Sequence, residues 1–273
     1  MYKATIVLDS IAPSGVRLTT MEVTFPRIVL AEFNTHRTLS RNSASSRAIP
    51  FAKMLKSVTE NPFIPEEWGA NQPGMQAGDT LPADASKEAK KIWLEARDKS
   101  VDQAKKLHDM GIHKQLVNRL LEPFLWHTVL VTSTTWENFL NLRTHPDAQP
   151  QMQRAAIQMR DALNSSTPKS VGALGWHLPF VDAADRICLS EADALLVSAG
   201  RCARLSYLTH HGKRDFQEDI MLAKKLRSSG HMSPFEHQAR AQMDPFTQSG
   251  NFTGWQQYRK TIPGEDVFKN KSS

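Results

Sequence analysis

Apolar and polar positions alternate in strand fashion over the first 30 residues, with β-branched residues in Ala4-Thr5-Ile6-Val7-Leu8 and Val23-Thr24-Phe25. Ile28 to Phe33 continues as an apolar run too short for its period to separate helix from buried strand. From Ser86 to Met110 the period changes. Ile92, Trp93, Ala96, Val101, Ala104 and Leu107 return at helical steps, which predicts an amphipathic helix stopped by Gly111. Further helices are predicted over 114–121 (closed by Pro123), over 149–163, from a Ser190–Asp193 capping box through Tyr207, and over 215–229 ahead of Gly230. Between 61 and 83, Pro62, Pro65, Gly69, Pro73, Gly74, Gly78 and Pro82 interrupt any period. They predict a long loop, better suited to a functional segment or lid than to a linker. No repeat or boundary divides the pattern, so the expectation is a single α+β domain over 1–273 with several packed helices.

Composition narrows the class. A 40% hydrophobic content excludes a disordered chain, and 273 residues suffice for a sizeable core. The longest apolar stretch, Phe124 to Val131, contains His127 and falls well short of the ~20 residues a membrane span needs. The first residues lack a signal-peptide pattern, which predicts a cytoplasmic protein. Cys188 and Cys202 form no disulfide framework and are expected to be small, buried packing residues. The net charge of +6 is spread along the chain and suits phosphates and carboxylates as well as nucleic acid.

Three polar clusters carry candidate chemistry. Residues 34–47 place three Arg, one His, four Ser, two Thr and two Asn together, a density able to hold a phosphate and a base edge. A solvated polar loop is the equal alternative. In the second cluster, Asn138-Phe139-Leu140-Asn141-Leu142-Arg143, polar heads alternate with apolar residues; alone it reads as a helix face with capped ends. The third is Gly230-His231-Met232-Ser233-Pro234-Phe235-Glu236-His237, whose spacing fits no zinc pattern.

Together the clusters resemble the flavin-dependent thymidylate synthases. That family's signature, R-H-R-x-x-S-x-N-E-x-S-x-R, is met at six of its eight fixed positions by His36, Arg37, Ser40, Asn42, Ser45 and Arg47, while Thr35 and Ser43 depart from it. Asn138 to Arg143 with Ala148-Gln149 is similar to the family's N-F-L-N-L-R segment, and Gly111, Lys114, Arg119 and Pro123 match a preceding stretch loosely. Arg201 to Tyr207 and His231 to His237 resemble the family's A-A-R-V-S-F and H-x-T-P-F-E-H segments, which in the family come first; here they come last, as in a circular permutation. Trp255 to Glu265 keeps the W-x-x-x-R-x-x-x-x-x-E spacing and reads as a degenerate second copy of the signature, one that returns the Glu missing at Ser43.

The resemblance implies an antiparallel or mixed sheet and a one-carbon transfer from methylenetetrahydrofolate to carbon 5 of a deoxypyrimidine monophosphate. Reduced FAD would supply the hydride, NADPH would re-reduce it, and the enzyme would be a homotetramer. By motif, Arg143 is the catalytic Arg that also holds the pyrimidine. Ser45, Ser46, Arg47 and Arg119 would hold the nucleotide, and His36, Arg37, Ser43, Asn138, Ser206, His231 and Ser233 the flavin. Glu32 stands where the family commonly has Gln. A carboxylate only accepts hydrogen bonds and is the natural partner of a cytosine amino group, so dCMP joins dUMP as a candidate substrate, and a hydroxymethyl product joins methyl. The competing classes are a nucleic-acid-binding protein using 35–47 and a flavin-binding scaffold without catalysis.

Overall fold

The computed structural model describes residues 1–207 and 215–267; at Ser206 and Tyr207 only the backbone is described. In chain order the elements are β1 (Lys3–Ile11), β2 (Arg17–Pro26), α1 (Leu30–Phe33), β3 (Ser40–Ser43), α2 (Phe51–Glu60), α3 (Ala83–Asp109), α4 (Lys114–Val117), β4 (Trp126–Ser133), α5 (Glu137–Arg143) and α6 (Pro150–Asn164). They continue with β5 (Lys169–Ser170), β6 (Trp176–His177), α7 (Ala183–Cys188), α8 (Glu191–Tyr207), α9 (Phe216–Ser228), β7 (Ala239–Ala241), β8 (Gln248–Ser249), β9 (Phe252–Thr253) and β10 (Trp255–Gln257). The architecture is α+β with a mixed main sheet.

That sheet has the order β3-β4-β2-β1-β5, antiparallel except for β5, which runs parallel to β1. One face packs on α5 and α6 through Met21, Val23, Val131, Phe139, Met152 and Met159. The other meets α8 through Leu130, Cys202 and Leu205. Burial on both faces explains why the middle of β4, Val129-Leu130-Val131, reads as an apolar run rather than an alternating one. A smaller sheet, β10-β7-β6, closes over Leu18, Phe252 and Trp255. Among the described residues no helix is long and apolar enough to cross a membrane.

Most of the predicted helices form at the expected places. Gly111 and Gly230 end α3 and α9 at φ 80° and 77°, a conformation glycine adopts without a Cβ penalty. The expected 114–121 helix differs: it is α helical only to Val117 and then a 3-10 run, Asn118–Phe124, which carries Pro123 inside it. Lys114 and Asn118 explain the break. Lys114 Nζ donates to Ala48 O at 3.1 Å and Asn118 Nδ2 to Ser46 O at 2.8 Å, so tertiary bonds to the 46–49 backbone set its path. The 61–82 segment is a loop pinned at its ends: Phe63 N donates to Phe124 O and Leu81 N to Trp68 O, both at 2.8 Å. The cysteine expectation is half corrected. Cys202 is buried, but Cys188 is exposed, because it ends a short helix lying on the surface.

Candidate functional site

The 34–47 segment folds around two side chains. Arg41 Nη1 donates to Asn34 O at 3.1 Å and His36 O at 2.7 Å, tying the turn after α1 to its own strand. Asn42, buried on β3, donates from Nδ2 to Cys202 O at 2.8 Å and accepts at Oδ1 from Ser233 Oγ at 3.2 Å. Segments at opposite ends of the chain therefore close on one amide. The second cluster joins through Arg143, whose Nε donates to His36 Nε2 at 2.8 Å. That bond leaves the His36 proton on Nδ1. Burial, with the Arg143 and Arg41 charges, pushes His36 below the usual histidine value, so it stays neutral while the Phe139 ring edge packs 4.9 Å from it.

Beside Asn42 lies a cavity of about 440 Å³ lined by Ser43, Ser45, Arg47, His113, His231 and Ser233. Its donors are hydroxyls, imidazoles and one guanidinium, a set matched to phosphate oxygens. Ser46 Oγ is buried nearby in sequence with no hydrogen-bond partner among the described residues. His231 is exposed, and its Nδ1 pairs with Ser229 Oγ at 3.0 Å.

Other expected residues sit apart from this cavity. Arg119 pairs with Glu122 at 2.8 Å, and both border a separate groove with Arg27 and Asn34. Asn138 is exposed in the first turn of α5, Arg37 is exposed, and Glu32 is exposed on α1, its carbonyl accepting from Thr35 Oγ1 at 2.6 Å. The Ser206 side chain lies outside the described residues. Glu265 accepts from Arg259 Nε at 2.6 Å and Lys260 Nζ at 2.5 Å. Burial pushes its carboxyl up, but these hydrogen bonds outweigh it and hold the group below the ordinary carboxylate range. Arg259 in turn pairs with Glu236, so Glu265 braces the third cluster. It does not line the Arg47 cavity.

The two histidines of the third cluster diverge. His237 is fully buried, and its Nδ1 lies 2.8 Å from Thr132 Oγ1, itself 2.7 Å from Thr20 Oγ1. Thr20 continues to His177 Nε2 at 2.8 Å, and His177 Nδ1 to Ser10 Oγ at 2.8 Å. Burial drives both imidazoles down to about 3. This internal chain, with Asn42, Arg41 and His113, is what sequence reasoning left unassigned. Asn42 was readable as a fixed signature position, and Arg41 and His237 as members of the polar clusters; Ser10, Thr20, Thr132, His177 and His113 carry no local mark, because their partners are remote in sequence.

Among the solved structures that resemble the chain are two of a UMP/dUMP methylase, PolB, from Streptomyces cacaoi. The one bound with 5-Br UMP has a TM-score of 0.48 at 17% identity, covering 60% of this chain and 88% of that one. The one bound with 5-Br dUMP has a TM-score of 0.46 at 17% identity, covering 60% and 90%. No curated protein matches the sequence. A family model, thymidylate synthase complementing protein, matches residues 17–169. That stretch includes the Asn42 turn, the Arg143–His36 pair and four of the five main-sheet strands in whole or part. It spans more than half the chain, and the protein is a member of the thymidylate synthase complementing protein family, Thy1.

Proposed function

We propose that the chain is a flavin- and folate-dependent enzyme transferring a one-carbon unit to carbon 5 of a deoxypyrimidine monophosphate, most simply dUMP to dTMP. The observation that carries this reading is the closure of all three motif segments on one another: Asn42 bonds Cys202 O and Ser233, and Arg143 bonds His36. On this reading 1–273 is a single catalytic domain in permuted order. Permutation leaves packing intact when the same segments still meet.

The residues fit the groups the reaction needs. Ser45 and Arg47, which line the cavity, would hold the nucleotide phosphate together with Ser46, and Ser43, Ser233 and His231, also on its wall, would hold the flavin together with His36. Bound reduced flavin supplies the hydride, methylenetetrahydrofolate the carbon, and NADPH the reducing power. Arg143 would stabilise negative charge developing on the pyrimidine, and the neutral His36 holds its guanidinium in place without competing for that charge. A fixed cation at developing charge is worth roughly 10²–10³ in turnover. Cytosine stays the alternative base, since the carboxylate of Glu32, although exposed and apart from this cavity within one copy, only accepts hydrogen bonds. The cavity is small against a dinucleotide plus a nucleotide, which supports a site completed by further copies in a homotetramer.

The test is direct. Purified protein is loaded with FAD and given methylenetetrahydrofolate and NADPH with dUMP or dCMP in separate reactions, and product is identified by mass. Turnover of dUMP to dTMP, lowered about 100-fold or more in Arg143→Ala, is the expected result. Turnover of dCMP instead would move the substrate to cytosine. Absence of flavin binding and of turnover on either base refutes the proposal.

A further inference from the structure

A second cavity, larger than the one beside Asn42, lies on the other side of the molecule's α8 helix. It measures about 810 Å³ and lies between β1, the 169–186 segment and α8, with Val7, Leu8, Trp176, Leu178 and Phe180 supplying an apolar wall. That volume falls within the ~300–1,000 Å³ range of small-molecule sites, which combine apolar walls with a few polar groups. Helix α8 separates the two cavities: Ala203 lines the Asn42 side, whereas Arg201 and Arg204 line this one. Most of its wall lies beyond residues 17–169, the stretch that carries the family pattern.

Three independent features mark this cavity as built for a ligand. The first is backbone strain. Among the described residues, Leu174 (φ 62°) and Phe180 (φ 64°) are the non-glycine residues held in the left-handed region, and both lie in the segment that walls the cavity. Such strained positions gather at ligand clamps. The Phe180 kink aims its carbonyl at Arg201, whose Nη1 donates to it at 2.6 Å.

The second feature is an orphan donor. Arg201 is buried and bonds Asp219 and Asp185 at 3.0 and 2.5 Å, yet its Nη2 has no hydrogen-bond partner among the described residues. The third is uncompensated charge. Arg186 and Lys169 both line the cavity, and among the described residues no carboxylate stands within 4.0 Å of either. Arg186 is instead steadied by one bond, from Nη2 to Trp176 O at 3.1 Å, which leaves its other donors for a ligand. Asp182 also lines this wall, and its Oδ1 is engaged in capping α7, accepting from Asp185 N at 2.9 Å.

We propose that this cavity is a second ligand site, taking an organic anion with a planar apolar body whose carboxylate or phosphate is held by Arg186. The apolar wall takes the body and the guanidinium fork takes the head, since it matches both oxyanions bidentately. The site stands independently of the nucleotide reading.

The probe is 8-anilinonaphthalene-1-sulfonate, a planar apolar body with an anionic head, titrated by fluorescence into the full-length protein. Arg186→Met is expected to weaken one saturable binding event about tenfold or more, as loss of a charge-assisted bond requires, while Arg186→Lys retains most of the affinity. Gly172→Leu adds bulk where a Cβ meets nothing within 4 Å, and it should abolish binding without lowering thermal stability. Arg47→Ala, in the other cavity, should leave binding intact. Benzoate and phenyl phosphate as competitors identify the head: displacement by either supports the site, and the stronger names its chemistry. Unchanged binding in both Arg186→Met and Gly172→Leu, loss in Arg47→Ala instead, or displacement by neither competitor overturns it.

Discussion

Thr132 carries more of this structure than its type suggests. Its hydroxyl is shared between Thr20 Oγ1 at 2.7 Å and His237 Nδ1 at 2.8 Å, inside a core where water cannot replace either partner. Two proton arrangements fit the chain from Ser10 to His237. In one, His177 and His237 carry their protons on Nδ1 and the His237 Nε2 is a bare acceptor; in the other, Nε2 carries an N–H with no acceptor among the described residues. A buried orphan donor is the rarer condition, so the Nδ1 arrangement is favoured. Thr132→Val keeps the shape and strand preference but leaves His237 with no partner. An unsatisfied buried group costs about 1–3 kcal/mol, so urea unfolding should show a loss of that size. Thr132→Ser keeps the hydroxyl and deletes one methyl, for about 1 kcal/mol. A Val variant as stable as the parent would show that the chain contributes nothing. The clustering of His237 with Ser233 and Glu236 was legible in the sequence. Its partner Thr132 was not, because nothing in an apolar run on β4 announces a buried polar contact across the sheet.

The helix pair α8–α9 was the most legible element, and its packing depends on one position. A Cβ on Gly200 would sit 2.3 Å from Asp219 O, a backbone atom that cannot step aside. Helix propensity alone favours Gly200→Ala by up to about 1 kcal/mol. Forcing apart two packed helices costs about 1–3 kcal/mol, and here it also disturbs the bonds from Arg201 and Arg204 to Asp219, at 3.0 and 2.6 Å. The clash wins: Gly200→Ala should lower the melting temperature by several degrees, whereas a surface change such as Met221→Ala on α9 should leave it nearly unchanged. A stabilised Gly200→Ala would refute the close approach. The capping box at Ser190 and the stop at Gly230 made these helices readable, since each is a local signal. The short strands β5 to β10 were not, because two- and three-residue pairings have no period and form only when remote partners arrive.

At the scale of the whole molecule, the first two strands were foreseeable from the alternation in β1 and β2, while the mixed sheet followed only from the family resemblance and the meeting of the three motif segments at Asn42 from motif order rather than from any local pattern. The same interior that hides these pairings makes the fold acid-sensitive. His127, His177 and His237 are held near 3, in each case chiefly by burial, with the Arg27 charge adding to the effect on His127. His36 is lowered as well. In the unfolded chain each returns to an ordinary value of about 6.5. Below that pH the unfolded state binds protons that the folded state refuses, so stability is complete above about 6.5 and is lost as pH falls toward 3. Each histidine contributes about 1.4 kcal/mol per pH unit across that window, and the three most buried together contribute about 4. Set against a typical stability of about 5–15 kcal/mol, this predicts unfolding between about pH 5 and 3, before most carboxylates titrate. Asp9 and Glu265 reinforce the trend at the lower end: their folded values lie below the ordinary ones, so their contribution also fades as pH drops through about 4. Melting temperature followed from pH 7.5 to 4 should fall with a slope corresponding to about three protons taken up on unfolding. His127→Gln, which leaves the Thr20–Thr132 chain untouched, should reduce that uptake by about one. A flat profile down to pH 4.5 would mean that these imidazoles are not held neutral by the fold.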